Sequence, residues 1–135
     1  MYFNIIKELY KDDLLKIKMM KMSEMEEELV RGVIRNLSRL IILWILRQES
    51  RSGYNVLKEM QRLTEQKFHP GIVYPLLYEL EDETFISGEW VRKNKRRIKR
   101  YTITEKGKEL LNRLHRLFEF PMKEILHDFL SNKNS

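Results

Sequence analysis

The 135-residue sequence contains no cysteine. A disulfide framework, a thiolate metal cage and a cysteine nucleophile are thereby excluded, and a reducing compartment fits. Glycine (five) and proline (three) are scarce, and no Gly-rich run of the kind that cradles phosphates occurs. Long apolar runs are missing too. The longest, Leu40 to Leu46, falls far short of the ~20 residues that a membrane-spanning helix requires. Met1-Tyr2-Phe3-Asn4 offers no basic stretch leading into an apolar segment and a small-residue cleavage site, so no secretory signal and a cytoplasmic location are expected.

Acid is absent from one stretch in particular. Residues 1 to 87 carry 13 basic and 14 acidic side chains, whereas residues 88 to 135 carry 13 basic and 6 acidic, so the net charge of +6 arises in the second part. Its centre is Arg92-Lys93-Asn94-Lys95-Arg96-Arg97-Ile98-Lys99-Arg100, with seven cations in nine residues. A positive field of that density attracts polyanions. Hydrophobic content of 42% beside 34% charge describes a chain that folds around one core, with room for appendages but not for two independent cores.

Periodicity then places the elements. Phe3, Ile6, Leu9, Tyr10, Leu14 and Ile17 recur at helical steps and predict an amphipathic first helix. Ser23 and Glu26 have capping-box spacing and open a second helix, whose apolar face runs from Leu29 through Val33 and Leu37 to Trp44 and Ile45, with Trp44 expected in the core. Behind a cap at Ser52, the residues Tyr54, Val56, Leu57, Met60 and Leu63 form a third helix. Pro70 suits the first turn of a fourth, running to about Glu83, with a regular part delayed by Pro75. Val73, Leu76, Leu77 and Leu80 are its predicted buried stripe, which leaves Gly71, Ile72, Tyr74, Pro75 and Tyr78 facing outward. From Phe85 the period changes. Ile86, Trp90 and Val91 before the basic run, and Ile98, Tyr101 and Ile103 after it, suit two strands of a hairpin, with Asn94 able to take the left-handed turn conformation and Trp90 at its foot either packing or forming part of an aromatic effector site. Thr104 opens a last helix carrying Leu110, Leu111, Leu114, Leu117 and Phe118. Pro121 should break it ahead of Met122, Ile125, Leu126, Phe129 and Leu130.

Three helices followed by a two-stranded hairpin describe a mainly α, α+β winged helix-turn-helix: a three-helix core plus a two-stranded β-wing, with N-terminal and C-terminal dimerisation helices. The residues also carry a resemblance. Ser52-Gly53-Tyr54, Pro70-Gly71-Ile72-Val73-Tyr74-Pro75-Leu76-Leu77, Leu80-Glu81 and Tyr101-Thr102-Ile103-Thr104-Glu105-Lys106-Gly107 resemble the PadR family of transcriptional regulators over roughly residues 37 to 115. That resemblance implies a homodimeric regulator, with a C-terminal helix supplying much of the dimer contact and often an effector pocket near the interface. No effector is named by it. It matches Tyr74 and Pro75 to the recognition helix, Arg96 and Lys99 to the wing, and Gly107 to the glycine that opens the last helix. Two positions depart from the family: Thr84 stands where glycine usually follows the recognition helix, and the wing tip lacks its usual glycine.

Each signal has a plainer alternative. A basic run is often only a solvated face, but on a hairpin beside a helix-turn-helix it points to phosphate contact. Tyr74 and Tyr78 either cap the core or touch phosphate and sugar, with Ile72 or His69 closer to the bases. Arg31, Arg35 and Arg39 read as a solvated or subunit-facing stripe. His115, Glu119, Glu124, His127 and Asp128 fit no compact ligand signature, so no metal is expected, and no catalytic constellation is present.

The sequence thus predicts three segments: an N-terminal helical extension (1–28), a winged-helix DNA-binding domain (29–104) and a C-terminal helical dimerisation segment (105–135). The expected function is that of a sequence-specific regulator, repression being the favoured sign, acting as a homodimer on a palindromic operator. It needs no cofactor beyond an unidentified small-molecule effector, and its partners are double-stranded DNA and a second copy, not a membrane. Expected DNA contacts are His69, Gly71, Ile72, Tyr74, Pro75, Tyr78, Arg92, Lys93, Lys95, Arg96, Arg97 and Lys99. Expected dimer contacts are Leu110, Leu114, Leu117, Phe118, Ile125 and Phe129. The alternative is a winged-helix module that binds nucleic acid non-specifically or docks a protein.

Overall fold

The computed structural model describes residues 23–65 and 70–132. The helix expected over residues 3–17 lies outside them, as does His69. In chain order the elements are α1 (Glu24–Gln48), β1 (Arg51–Ser52), α2 (Gly53–Thr64), α3 (Pro70–Asp82), β2 (Ile86–Lys93), β3 (Arg96–Ile103), α4 (Glu105–Glu119) and α5 (Met122–Ser131).

Side-chain caps start three of the helices as their sequences predict. Ser23 Oγ accepts from the Glu26 N–H at 3.2 Å, Ser52 Oγ from Asn55 at 3.2 Å and Thr104 Oγ1 from Gly107 at 3.1 Å. Glu24, Glu26 and Glu27 place negative charge at the positive end of α1. The last helix is broken at Phe120–Pro121, and α5 resumes at Met122.

One core is assembled from α1 to α4 and the β2–β3 hairpin. Ile42, Leu43, Ile45 and Leu46 of α1 meet Val56, Leu57 and Met60 of α2, the α3 stripe, Ile86, Tyr101 and Ile103 of the hairpin, and Leu111 of α4. Each such side chain contributes about 1.5–3 kcal/mol by leaving water. Arg39 of α1 adds a bond at 2.6 Å to Glu79 of α3, so the last arginine of the expected solvated stripe is engaged within the chain.

Three expectations are corrected and one is extended. Ile72 is 7% exposed and lies in the core, because with Val73, Leu76, Leu77 and Leu80 it completes a stripe at i, i+1, i+4, i+5 and i+8. Trp44 is 51% exposed, since the core takes the neighbouring positions 42, 43, 45 and 46 and leaves residue 44 pointing away. Helix α3 is continuous from Pro70 through Pro75, with no delayed start. A third strand, β1, extends the hairpin into a sheet of order β1-β3-β2, pairing Arg51 with Tyr101 and Ser52 with Arg100.

The turn after α3 keeps a glycine-like shape without glycine. Thr84 has φ 64°, its N–H donates to Glu81 O at 2.9 Å, and the Phe85 N–H reaches back to Leu80 O at 2.9 Å. This is the Schellman pattern, in which a left-handed residue closes the helix. Lys106 supports it, donating to Glu83 O at 2.6 Å and to Thr84 Oγ1 at 3.2 Å. Gly107 lets α4 approach: a Cβ there would collide with the Phe85 carbonyl oxygen.

Candidate nucleic-acid interface

Strand alternation and register decide what the wing presents. Ile86 faces Ile103, Gly88 faces Tyr101, Trp90 faces Lys99 and Arg92 faces Arg97. These pairs pass from buried at the base to exposed at the tip, so one hairpin face grades from core to cationic surface. At the tip, Asn94 (φ 51°) and Lys95 (φ 67°) join Lys93 to Arg96. Positive φ at both central residues is the type I′ pattern that matches strand twist. Asn94 takes the conformation expected of it, and Lys95 takes it as well.

Between the wing, the outer side of α3 and the first turn of α2 lies a cleft of about 940 Å³. Cations line it from Arg51, Lys93, Arg96, Arg97, Lys99 and Arg100, and rings from Tyr54, Tyr74, Tyr78, Trp90 and Tyr101. Tyr78 is exposed, whereas Tyr74 is half-buried against the core. Gly71 and Pro75 are exposed on α3. Tyr74 thus packs on the core as well as lining the cleft, whereas Tyr78 stands free of the core.

Two more expectations change here. Trp90 does not pack at the foot of the wing but is 58% exposed, with the Arg97 guanidinium 5.2 Å from its ring centroid. Lys99 is engaged within the chain. Its ammonium lies 2.6 Å from Glu81 Oε1, and the Glu81 carboxylate raises its pKa above the ordinary lysine value. Burial is the main cause that raises the Tyr101 phenol. With Ile72 in the core and Lys99 held, the expected contacts accessible among the described residues are Gly71, Tyr74, Pro75, Tyr78, Arg92, Lys93, Lys95, Arg96 and Arg97.

Arg51, Tyr54 and Asn55 also line the cleft, as does Arg100 of the basic run, and none of the four is among the expected contacts. Spacing puts Tyr54 on the apolar side of its helix, yet it is exposed beside Lys58, whose ammonium is 5.5 Å from the ring centroid. Arg51 directly precedes the Ser52-Gly53-Tyr54 signature, which was the available clue.

The model of the transcriptional regulator PadR-like family matches residues 42–113, just over half of the chain. The chain belongs to that family. A crystal structure of a Thermoplasma acidophilum protein superposes with a TM-score of 0.67 at 28% identity, covering 76% of this chain and 99% of the other. A PadR family transcription regulator from Clostridium difficile R20291 gives 0.60 at 25% identity, covering 70% and 98%. Bacillus subtilis PadR in complex with operator DNA gives 0.50 at 27% identity, covering 72% of this chain and 48% of that one. The transcriptional regulator YqjI of Escherichia coli (strain K12) is 32% identical over 75 residues, which are 54% of this chain. The chain spans about a third of the length of that curated relative, the matched share being 35%.

In this PadR-like chain the C-terminal elements carry an apolar surface. Leu110 packs on the chain's own core, and Leu114 and Phe118 are half-buried. Leu117, Phe120, Ile125, Phe129 and Leu130 are exposed, Phe129 at 74%. Met25, Leu29, Val33 and Leu37, at every fourth residue of α1, are exposed as well. Among the described residues no three His, Asp or Glu side chains converge on a metal-sized site, and no helix is long and apolar enough to cross a membrane. His115 pairs with Glu119 at 2.9 Å along α4.

Proposed function

We propose that the chain is a sequence-specific DNA-binding transcriptional regulator, a repressor by preference, acting as a homodimer on a palindromic operator. The observation that carries this reading is the cleft itself: a concave surface flanked by an arginine-rich wing on one side and the outer turns of α3 on the other. Wing cations hold phosphates and supply affinity, which carries no sequence information. Sequence choice falls to α3, which Tyr74 and Tyr78 position through phosphate and sugar. The operator complex of the similar Bacillus subtilis PadR supports duplex DNA as the ligand.

A second copy would cover the exposed apolar side chains of α4, α5 and α1, which are costly to leave in water. Two-fold symmetry would then set two α3 helices about one turn of DNA, ~34 Å, apart. Enrichment of bound duplexes from a random pool tests the reading. A recovered palindrome supports it. Equal recovery of all sequences favours a non-specific nucleic-acid module instead.

A further inference from the structure

Among the basic residues of the wing, Lys99 is the one that turns inward. Its ammonium sits 2.6 Å from Glu81 Oε1, while Glu81 Oε2 accepts the Gly88 N–H at 3.1 Å. One carboxylate on α3 thereby grips both strands, β3 through a side chain and β2 through its backbone. Among the described residues no other side-chain hydrogen bond joins α3 to the hairpin. Gly88 leaves the room that the pair occupies: a Cβ there would lie 2.4 Å from Lys99 Cε and 2.5 Å from Glu81 Oε2. Three rings flank the ammonium, with centroids 5.3 Å (Tyr101), 5.8 Å (Tyr78) and 5.9 Å (Trp90) away. Both charged side chains are about three-quarters buried, 24% and 27% exposed, so the pair is less screened than one on the open surface.

We propose that Glu81 and Lys99 are positioning residues: they form a clasp that sets the angle between wing and α3, and Lys99 is not a phosphate ligand. This rests on the DNA-binding reading for its consequence, though not for its geometry. Electrostatics and positioning make opposite predictions for Glu81. Removing an anion from beside a polyanion's docking surface should tighten binding by charge alone. Loosening the wing should weaken it.

The test uses the full chain with Trp44→Phe, so that Trp90 is the single tryptophan, and adds Glu81→Gln, Lys99→Met or Lys99→Arg. Without DNA, acrylamide quenching of Trp90 should rise in Glu81→Gln and Lys99→Met and return toward the reference in Lys99→Arg. With duplex DNA, Glu81→Gln should weaken binding by about fivefold despite its lost negative charge, as coupled neighbours typically allow. Lys99→Met should do the same with an unchanged salt slope, because a phosphate contact would take about 0.9 from that slope. Tighter binding by Glu81→Gln, or a slope reduced by Lys99→Met, overturns the proposal. So does unchanged quenching in both variants. If the reference protein holds no duplex, the quenching result still decides the clasp, and the regulator reading alone fails. Retained helical circular dichroism, with recovery by Lys99→Arg, separates loosening from misfolding.

Discussion

Gly53 and Tyr74 close the seam between α2 and α3: a Cβ on Gly53 would stand 2.7 Å from Tyr74 Cε1. Ser52-Gly53-Tyr54 and the α3 tyrosine are therefore one structural unit, in which the small residue seats the ring at the cleft wall. Gly53→Ala should push the ring outward, cost about 1–2 kcal/mol of stability by overpacking and weaken DNA binding. Denaturant unfolding and duplex titration measure the two effects. A variant with unchanged stability and affinity would show that the ring is not seated by this contact.

Thr84 holds a left-handed backbone at φ 64° in a β-branched residue. Such a conformation costs on the order of 1–2 kcal/mol, which glycine avoids. Thr84→Gly should raise stability by up to about 1 kcal/mol, since glycine's larger unfolded-state entropy and the lost Lys106 contact offset part of the relieved strain, a small gain in Tm. A fall in Tm would mean that the side-chain contacts outweigh the strain.

The wing tip carries a similar tension between shape and charge. Lys95→Gly should stabilise the type I′ turn by about 0.5–1 kcal/mol while reducing the salt slope of DNA binding by up to about 0.9. Stability and affinity thus move in opposite directions in one variant. Parallel movement would contradict the assignment of Lys95 to the ligand side.

Much of this was legible in the sequence because the signals are local. Ser23, Ser52 and Thr104 cap as their spacing indicates, and the hairpin follows from period-2 residues on either side of the basic run. Ile72 keeps a four-residue spacing to Leu76 and Leu80, so it belongs to the same wide stripe as Val73. Alternation from Ile103 through Tyr101 also places Lys99 on the inner face, a signal masked by its basic neighbours. Glu81 as its partner, and the two-residue strand β1, depend on contacts between distant residues. Local propensity does not encode those.

The exposed C-terminal face supplies a test of assembly. Ile125→Glu with Phe129→Glu should give a monomer at micromolar concentration by light scattering, leaving the α3–wing unit folded. Losing one half-site contact should lower operator affinity by about 100-fold or more. A dimer that persists would move the interface elsewhere, with the α1 stripe of Met25, Leu29, Val33 and Leu37 the next surface to alter.

Salt dependence of duplex binding tests the central claim most directly, because it counts the phosphates that the cleft neutralises. Removing two wing cations together, Arg96→Ala with Arg97→Ala, should reduce the slope of log K against log salt by up to about 1.8 and weaken all duplexes alike. An unchanged slope would contradict a wing that holds the DNA backbone.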